Sequence, residues 1–407
     1  MRTKSKASYD LCVIGGAGHV GLPFGVSCAL AGIKTVLFDI NRETIETIKQ
    51  GKFPFKEKDG DAKLKEALKL GTLSAESDDP SVISKSKIVL LVIGTPVDKY
   101  LNPNTKDIYS VIEKYRPYFV DGQILILRST IFPGTSQKIQ AYFDKHHLKI
   151  TVAFCPERVV EGEAIIEAKT VPQIISAFDK KTLARVKNLF EKISAKKIII
   201  AEPMEAELAK LFSNAWRYLK FAVANQFYMM ATDKGLDYER IYKAMTEDYE
   251  RNREIPRPGF AAGPCLFKDT MQLAAFNNNM FFIGHAAMLV NEGLPRFVID
   301  HIKYRLCKDD LQIKTVGILG MTFKSESDDP RDSLSFKLRK LAEYEAKEVL
   351  CHDPFLKGER GLVPLPHLLE KSDIIILATP HKMYGKINPA KYKNKIFIDI
   401  WQFWNKR

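Results

Sequence analysis

The residue in this chain best suited to chemistry is Cys265. It stands in the run Gly263-Pro264-Cys265-Leu266-Phe267-Lys268-Asp269, with a cation and an acid three and four residues downstream. A thiolate adds readily to an aldehyde, and the thioester left when a second hydride departs hydrolyses to an acid. Oxidation that stops at an aldehyde or ketone has no use for such a group, whereas oxidation carried through to the acid has. Free cysteines are more often small buried hydrophobes, so Cys265 gains weight only from its company. That company is a nucleotide fingerprint far upstream, Gly16-Ala17-Gly18-His19-Val20-Gly21. Its glycines permit a tight turn, approach of a pyrophosphate to backbone, and close helix–strand contact.

The fingerprint follows an apolar strand, Tyr9–Ile14, and opens an apolar helix from Val20 to Leu30. Asp39 ends the next strand. An acid at that distance can accept from both ribose hydroxyls and repels a 2′-phosphate, which favours NAD over NADP; Arg42, close by, moderates the preference. Thr95 in Gly94-Thr95-Pro96 and Thr130 in Arg128-Ser129-Thr130 place hydroxyls at two further strand ends. That is the carboxyl edge where open α/β sheets bind ligands, although hydroxyls at turns commonly act as caps.

The elements that must position these groups fall into three segments. From Tyr9 to about Ile200, apolar strand runs (Tyr9–Gly15, Lys34–Asp39, Ile88–Gly94, Gln123–Arg128, Lys149–Phe154, Lys197–Ala201) alternate with helical patterns, which predicts a parallel sheet with helices on both faces. From Pro203 the period changes to 3.6: Leu208, Leu211, Phe212, Ala215, Leu219, Ala222 and Val223 lie along one helix approaching thirty residues, with Gly235 as its stop. Strand–helix alternation returns with Thr315–Gly320, Glu348–His352, Asp373–Thr379 and Lys395–Ile400. The expected fold class is α/β: two Rossmann-like doubly wound domains joined by a long helix and a helical middle domain. The expected domains are 1–202 (NAD-binding), 203–308 (helical, dimerising) and 309–407 (nucleotide-sugar-binding).

Composition limits the function classes. The 407 residues are 45% hydrophobic and 27% charged, which is ordinary for a globular protein. The net charge of +13 is spread along the chain, which suits polyanionic small molecules better than nucleic acid, since no RNA-binding signature or long basic arm is present. Six cysteines without paired spacing point to reduced thiols in a cytoplasmic protein and against a zinc site or other metal. The most apolar long stretch, Met271 to Val290, carries Gln272, three Asn and His285, which argues against a membrane span.

With these residues in view, the chain resembles the UDP-glucose/GDP-mannose dehydrogenase family over essentially its whole length. The blocks, in order, are Gly16–Gly21, Gly94-Thr95-Pro96, Ser129-Thr130, Pro156-Glu157-Arg158 with Glu161-Gly162, Lys210 with Asn214, Gly263–Asp269, and Phe323-Lys324 with Arg331. The resemblance implies NAD-dependent, four-electron oxidation of the C6 hydroxyl of a nucleotide sugar to the uronic acid, in a homodimer. It implies Cys265 as nucleophile, with Lys210, Asn214 and Asp269 around C6. Glu157 and Glu161 would serve water activation, with Thr130 near water and cofactor. It further implies cofactor contacts from Gly16, Gly18, His19, Val20, Gly21, Asp39, Arg42, Thr95, Thr130 and Arg331. Substrate contacts would come from Glu157, Lys210, Asn214, Phe260, Gly263 and Lys324. Taken by itself, the spacing of Lys210 and Asn214 sets them on one helix face, where a cation and an amide can stabilise an oxyanion.

The chain departs from the family pattern at Ala262 and Pro264, in place of a second glycine and a small or polar residue; Pro264 removes a backbone N–H beside the cysteine. Glu157-Arg158-Val159 looks like the branch acting on UDP-N-acetylhexosamines, whereas Lys268-Asp269 looks like the UDP-glucose and GDP-mannose branches. The sugar is therefore open. Two other readings stand beside the first: a two-electron hydroxyacid-type dehydrogenase that never uses Cys265, and a non-catalytic nucleotide-sugar sensor. Two NADH per sugar distinguish the first from the second; a sensor needs no nucleophile.

Overall fold

The computed structural model describes residues 7–98, 104, 106–261, 263–307, 310–356, 358–359 and 361–404. Two compact units divide after Phe212, inside the long helix Pro203–Asp233. At 31 residues this helix is about 46 Å long at roughly 1.5 Å per residue.

The first unit is built on an eight-stranded sheet. Its strands are β1 (Tyr9–Ile14), β2 (Thr35–Phe38), β3 (Leu73–Glu76), β4 (Ser86–Leu91), β5 (Ile124–Leu127), β6 (Thr151–Phe154), β7 (Gln173–Ala177) and β8 (Ile198–Ile200), in the order β3-β2-β1-β4-β5-β6-β7-β8. The near-continuous apolar runs arise because both faces are covered. Leu11, Val13, Leu90, Ile124 and Ile126 enter one core, while Cys12, Ile14, Val89, Leu91, Leu125 and Leu127 enter the other. Two strands differ from the sequence expectation. β3 is a four-residue edge strand that buries alternate side chains, too short to stand out as an apolar run. β7 pairs antiparallel with β6, Ala153 opposite Ala177 and Phe154 opposite Ser176, so the sheet is dominated by parallel pairs without being wholly parallel.

The second unit carries helices Tyr238–Thr246, Leu266–Phe276 and Phe282–His301, followed by a parallel sheet of β9 (Thr315–Leu319), β10 (Glu348–His352), β11 (Ile374–Leu377) and β12 (Ile396–Ile398) in the order β10-β9-β11-β12. This repeats the β2-β1-β4-β5 half of the first sheet. Leu294, Val298 and Ile299 of the helical segment share a core with Val316, Ile318 and Ile376 of this sheet, so the middle helices and the last sheet form one packed body. Among the described residues, no helix is long and apolar enough to cross a membrane.

Candidate active site

At the first sheet's carboxyl edge, Gly16–Gly21 turns from β1 into helix Gly21–Leu30. A Cβ at Gly21 would overlap the Gly15 carbonyl, and one at Gly16 would come within 2.8 Å of Leu37; both positions are closed by backbone packing. A Cβ at Gly18 would meet only the Gly15 oxygen, at 3.6 Å, which leaves that stretch of backbone open to a phosphate at a helix N-terminus. Asp39 follows β2 and braces the turn: Oδ2 accepts from Ala17 N–H and Oδ1 from Asn41 N–H, each at 3.0 Å. Each oxygen keeps a lone pair for a ribose hydroxyl. Arg42 is 77% exposed, and its Nε lies 2.7 Å from Asp78, so its charge is offset where a 2′-phosphate would need it. His19 stacks on Phe55, with ring centroids 4.0 Å apart, and its Nε2 lies 3.0 Å from Glu161 Oε1.

The other hydroxyls at this edge mainly tie strand ends together. Thr95 donates to the Thr130 carbonyl at 2.6 Å, and Ser129 exchanges two 2.8 Å bonds with the Ile93 backbone. Nothing in the residue pattern points to what lies beneath Glu157. Arg128 is 1% exposed; its guanidinium carbon sits 4.3 Å from the Phe24 ring and 5.3 Å from Phe190. Its Nε and Nη2 reach Glu157 Oε2 at 2.7 and 2.6 Å, and its Nη1 donates to the Cys155 carbonyl at 3.1 Å. Glu157 Oε1 accepts from the backbone N–H groups of Arg158 and Val159, at 2.8 and 3.1 Å. Both carboxylate oxygens therefore already hold the 156–159 loop in shape.

In the second unit, Cys265 is exposed and caps helix Leu266–Phe276, its carbonyl accepting from Asp269 N–H at 2.9 Å. Cys12, Cys28, Cys155 and Cys351 are buried. Burial raises all four thiols, Cys155 to about 12 and Cys351 to about 11. Asp269 is fully buried; Oδ2 accepts from Asn214 Nδ2 at 2.5 Å and Oδ1 lies 3.0 Å from Lys268 Nζ. Lys210 lies one turn before Asn214 on the long helix, and Phe260 is buried in the core shared with the last sheet. Gly263 has φ +101°, and its Cα faces the Phe323 ring so closely that no side chain fits; its N–H donates to the Asp332 carbonyl at 3.3 Å. Ala262 lies outside the described residues. Lys324 follows Phe323 in the loop after β9, its carbonyl accepting from the Thr322 hydroxyl at 3.0 Å. Arg331 turns its Nε and Nη2 onto Asp329 at 2.6–2.9 Å.

Three family models match in chain order: the NAD binding domain of the UDP-glucose/GDP-mannose dehydrogenase family over residues 9–194, the central domain over 204–292, and the UDP binding domain over 317–406. A UDP-N-acetyl-D-mannosamine dehydrogenase of Methanocaldococcus jannaschii is 30% identical over 97% of this chain and 93% of its own length. The chain belongs to the UDP-glucose/GDP-mannose dehydrogenase family. Solved relatives include a UDP-D-ManNAc dehydrogenase from Pyrococcus horikoshii (TM-score 0.87, 26% identity, 97% of this chain and 100% of the other). A UDP-glucose dehydrogenase from Pyrobaculum islandicum has the same TM-score, with 25% identity over 98% and 99% of the two chains. The chain is thus an NAD-dependent nucleotide-sugar dehydrogenase.

One residue of this family member escaped the sequence reading although its position signals it. Asp353 follows β10 as Asp39 follows β2. Its Oδ2 accepts from Met321 and Thr322 N–H at 2.7 and 3.1 Å and lies 3.1 Å from His381 Nε2; Oδ1 accepts from Phe355 and Leu356 N–H at 2.8 and 3.3 Å. Burial alone would raise its pKa, but the His381 hydrogen bond and the backbone donors outweigh burial and hold it at about 2. Where Asp39 keeps acceptor capacity for a ribose, Asp353 is spent on bracing the loop that carries Lys324.

Proposed function

We propose that the chain oxidises the C6 alcohol of a UDP-N-acetylhexosamine to the carboxylate in two two-electron steps through Cys265. The observation that supports this most directly is the contrast among the thiols: Cys265 is exposed at a helix N-terminus, where a substrate can reach it, while four others are buried. Two molecules of NAD+, bound in turn, would accept one hydride each. Gly16, Gly18, His19, Val20 and Gly21 would hold the pyrophosphate, Asp39 a ribose, and Thr95 and Thr130 the nicotinamide end.

The alcohol first loses a hydride and a proton, giving the aldehyde. The Cys265 thiolate adds to the carbonyl carbon, and Lys210 and Asn214 stabilise the oxyanion that forms. Loss of a second hydride from this thiohemiacetal leaves a thioester. Water then attacks the acyl carbon, releasing the carboxylate and the thiol. Asp269 holds Asn214 in place through the 2.5 Å bond. Glu157 and Glu161 would serve water activation; Glu157 also holds its loop, since Arg128 and two backbone N–H groups engage its oxygens, and Glu161 lies 3.0 Å from His19. Lys324 and Arg331 would hold phosphates.

The sugar follows from two lines of support. Glu157-Arg158-Val159 looks like the N-acetylhexosamine branch, and the M. jannaschii and P. horikoshii relatives are named for UDP-N-acetyl-D-mannosamine; Lys268-Asp269, which looks like the UDP-glucose and GDP-mannose branches, points the other way. NADH yield across UDP-N-acetylmannosamine, UDP-N-acetylglucosamine, UDP-N-acetylgalactosamine, UDP-glucose, UDP-galactose and GDP-mannose tests both claims. Two NADH per UDP-N-acetylmannosamine is expected, and one NADH per sugar refutes the four-electron route. We also propose a homodimer through the long helix. Phe212, Trp216, Val223, Phe227 and Met230 are 39–59% exposed and lie at near-heptad spacing. Light scattering should give twice the 46.2 kDa chain mass.

A further inference from the structure

The long helix holds the nucleophile loop at two points, and only one of them was visible in sequence. Asn214 grips Asp269, four residues after Cys265. Asn225 lies eleven residues further along the helix, three turns and about 20° on, so it faces the same way about 16 Å away. Its amide pairs with both backbone groups of Gly259, six residues before Cys265: Oδ1 accepts from Gly259 N–H at 2.8 Å, and Nδ2 donates to Gly259 O at 3.0 Å. The second Nδ2 hydrogen goes to Asn291 Oδ1 at 2.8 Å, and Asn291 in turn donates to the Tyr218 carbonyl at 3.1 Å. Both asparagines are 0% exposed. The amide orientation is fixed by chemistry, because turning Asn225 over would set an NH2 against the Gly259 N–H. On its other side Gly259 packs so closely on the Trp401 ring that no Cβ fits.

We propose that Asn225, backed by Asn291, is a positioning residue that fixes the upstream end of the Cys265 loop for carbonyl capture; this rests on the reading of Cys265 as nucleophile. A fully buried, fully paired amide clasping one residue of a loop is a geometric constraint, and it acts on the strand of chain leading to the reacting sulfur. Misplacing a reacting atom by about 1 Å costs on the order of 100-fold in rate.

The test compares Asn225→Ala and Asn225→Asp with wild type. The aspartate keeps an acceptor for Gly259 N–H but loses both donated bonds. The expected result is a fall in kcat of about 10- to 100-fold with KM for NAD+ changed less than about 2-fold, since the cofactor turn is remote in sequence and chemistry. Amide exchange should accelerate within residues 259–264 while β9 and β11 keep their protection, and the rate of Cys265 alkylation by iodoacetamide should change. Exchange and alkylation require no turnover, so they test the clamp separately from the reaction. A fully active Cys265→Ser variant would sink the nucleophile reading while leaving these two measurements standing. A folded Asn225→Ala protein with wild-type kcat, or with unchanged exchange and alkylation, overturns the proposal. If Asn225→Ala does not fold, Asn291→Ala decides: it leaves the Gly259 pair but removes its support, and unchanged exchange and kcat there overturn the proposal equally.

Discussion

Replacing Arg128 with Met, alone and together with Glu157→Gln, separates an anchoring carboxylate from a basic one. The guanidinium is buried between Phe24 and Phe190 and gives two of its donors to Glu157, which is itself only 12% exposed. Removing one partner of a buried, hydrogen-bonded ion pair costs about 3–5 kcal/mol, because the other charge is left without compensation. Methionine fills part of the volume and keeps contact with the two rings, so the lower end of that range is expected for Arg128→Met. Glu157→Gln can keep one oxygen toward Arg158 and Val159 N–H, but it then turns an NH2 toward Arg128; donors facing donors in a buried site cost about 1–3 kcal/mol. The double variant has neither an orphaned charge nor opposed donors. Its cost should fall short of the summed single costs by about 2 kcal/mol or more. Hydrogen exchange of β5 and β6 amides, on either side of Arg128 and Glu157, reads the opening energy of this sheet alone. Additive costs within about 0.5 kcal/mol would refute the coupling. A Glu157→Gln protein of wild-type stability with kcat lowered more than about 100-fold would refute the anchoring role, since general-base loss is of that size.

Four other outcomes follow from the same geometry. Asp39→Asn should lower kcat/KM for NAD+ and raise relative use of NADP+, while the exposed Arg42–Asp78 pair keeps the switch partial; an unchanged NAD+/NADP+ ratio contradicts the ribose assignment. Cys265→Ser should largely stop acid formation, and iodoacetamide should inactivate wild type more slowly when nucleotide sugar is saturating; full acid production by the variant contradicts covalent capture. Arg331→Ala should raise KM for NAD+ or substrate more than it lowers kcat, because an ionic contact remote from the reacting carbon is made about equally in ground and transition states; a kcat collapse at constant KM would assign it to the chemistry. Asp353 has a folded-state pKa of about 2 against an ordinary 3.8, so it binds a proton less readily folded than unfolded. Its contribution, about 2 kcal/mol from that difference, is present above pH ~4 and lost as pH falls from there through about 2. The stability gap between wild type and Asp353→Asn should therefore narrow over that window, and a gap that widens on acidification reverses the sign of the argument.

Much of the scaffold was legible because burial on both faces writes long apolar runs: β1, β4, β5 and β11 announce themselves as YDLCVI, SKIVLL, ILIL and IIIL. β3, reading LSAE at a sheet edge, does not. The 3.6-residue period of the long helix was equally plain, and its length matches the expectation. What the period could not reveal is that the apolar face carries polar holders. Glu207 on this helix is 1% exposed and accepts from Ser136 N–H and Oγ at 2.9 and 2.6 Å; Asn214 and Asn225 grip the two ends of the Cys265 loop. In sequence Glu207 and Asn225 each interrupt an apolar stripe with nothing to show what they grip, and Asn214 stood out only through its spacing from Lys210.

The same limit explains Arg128 and Asp353. Arg128 follows β5 beside Ser129-Thr130 at the ligand-binding edge of the sheet, yet it is spent on Glu157, Cys155 and Gln173. Asp353 follows β10 as Asp39 follows β2, yet five donors within the fold consume it. Residue type and spacing specify which groups are capable of chemistry. Whether a capable group is available depends on how many of its lone pairs and hydrogens the fold has already taken, and those partners are distant in sequence: 29 residues from Arg128 to Glu157, 34 from Asn225 to Gly259, 55 from Asn214 to Asp269. Asp39 and Asp353 end equivalent strands, and unspent acceptor capacity is what makes the first suited to a ribose and the second a brace.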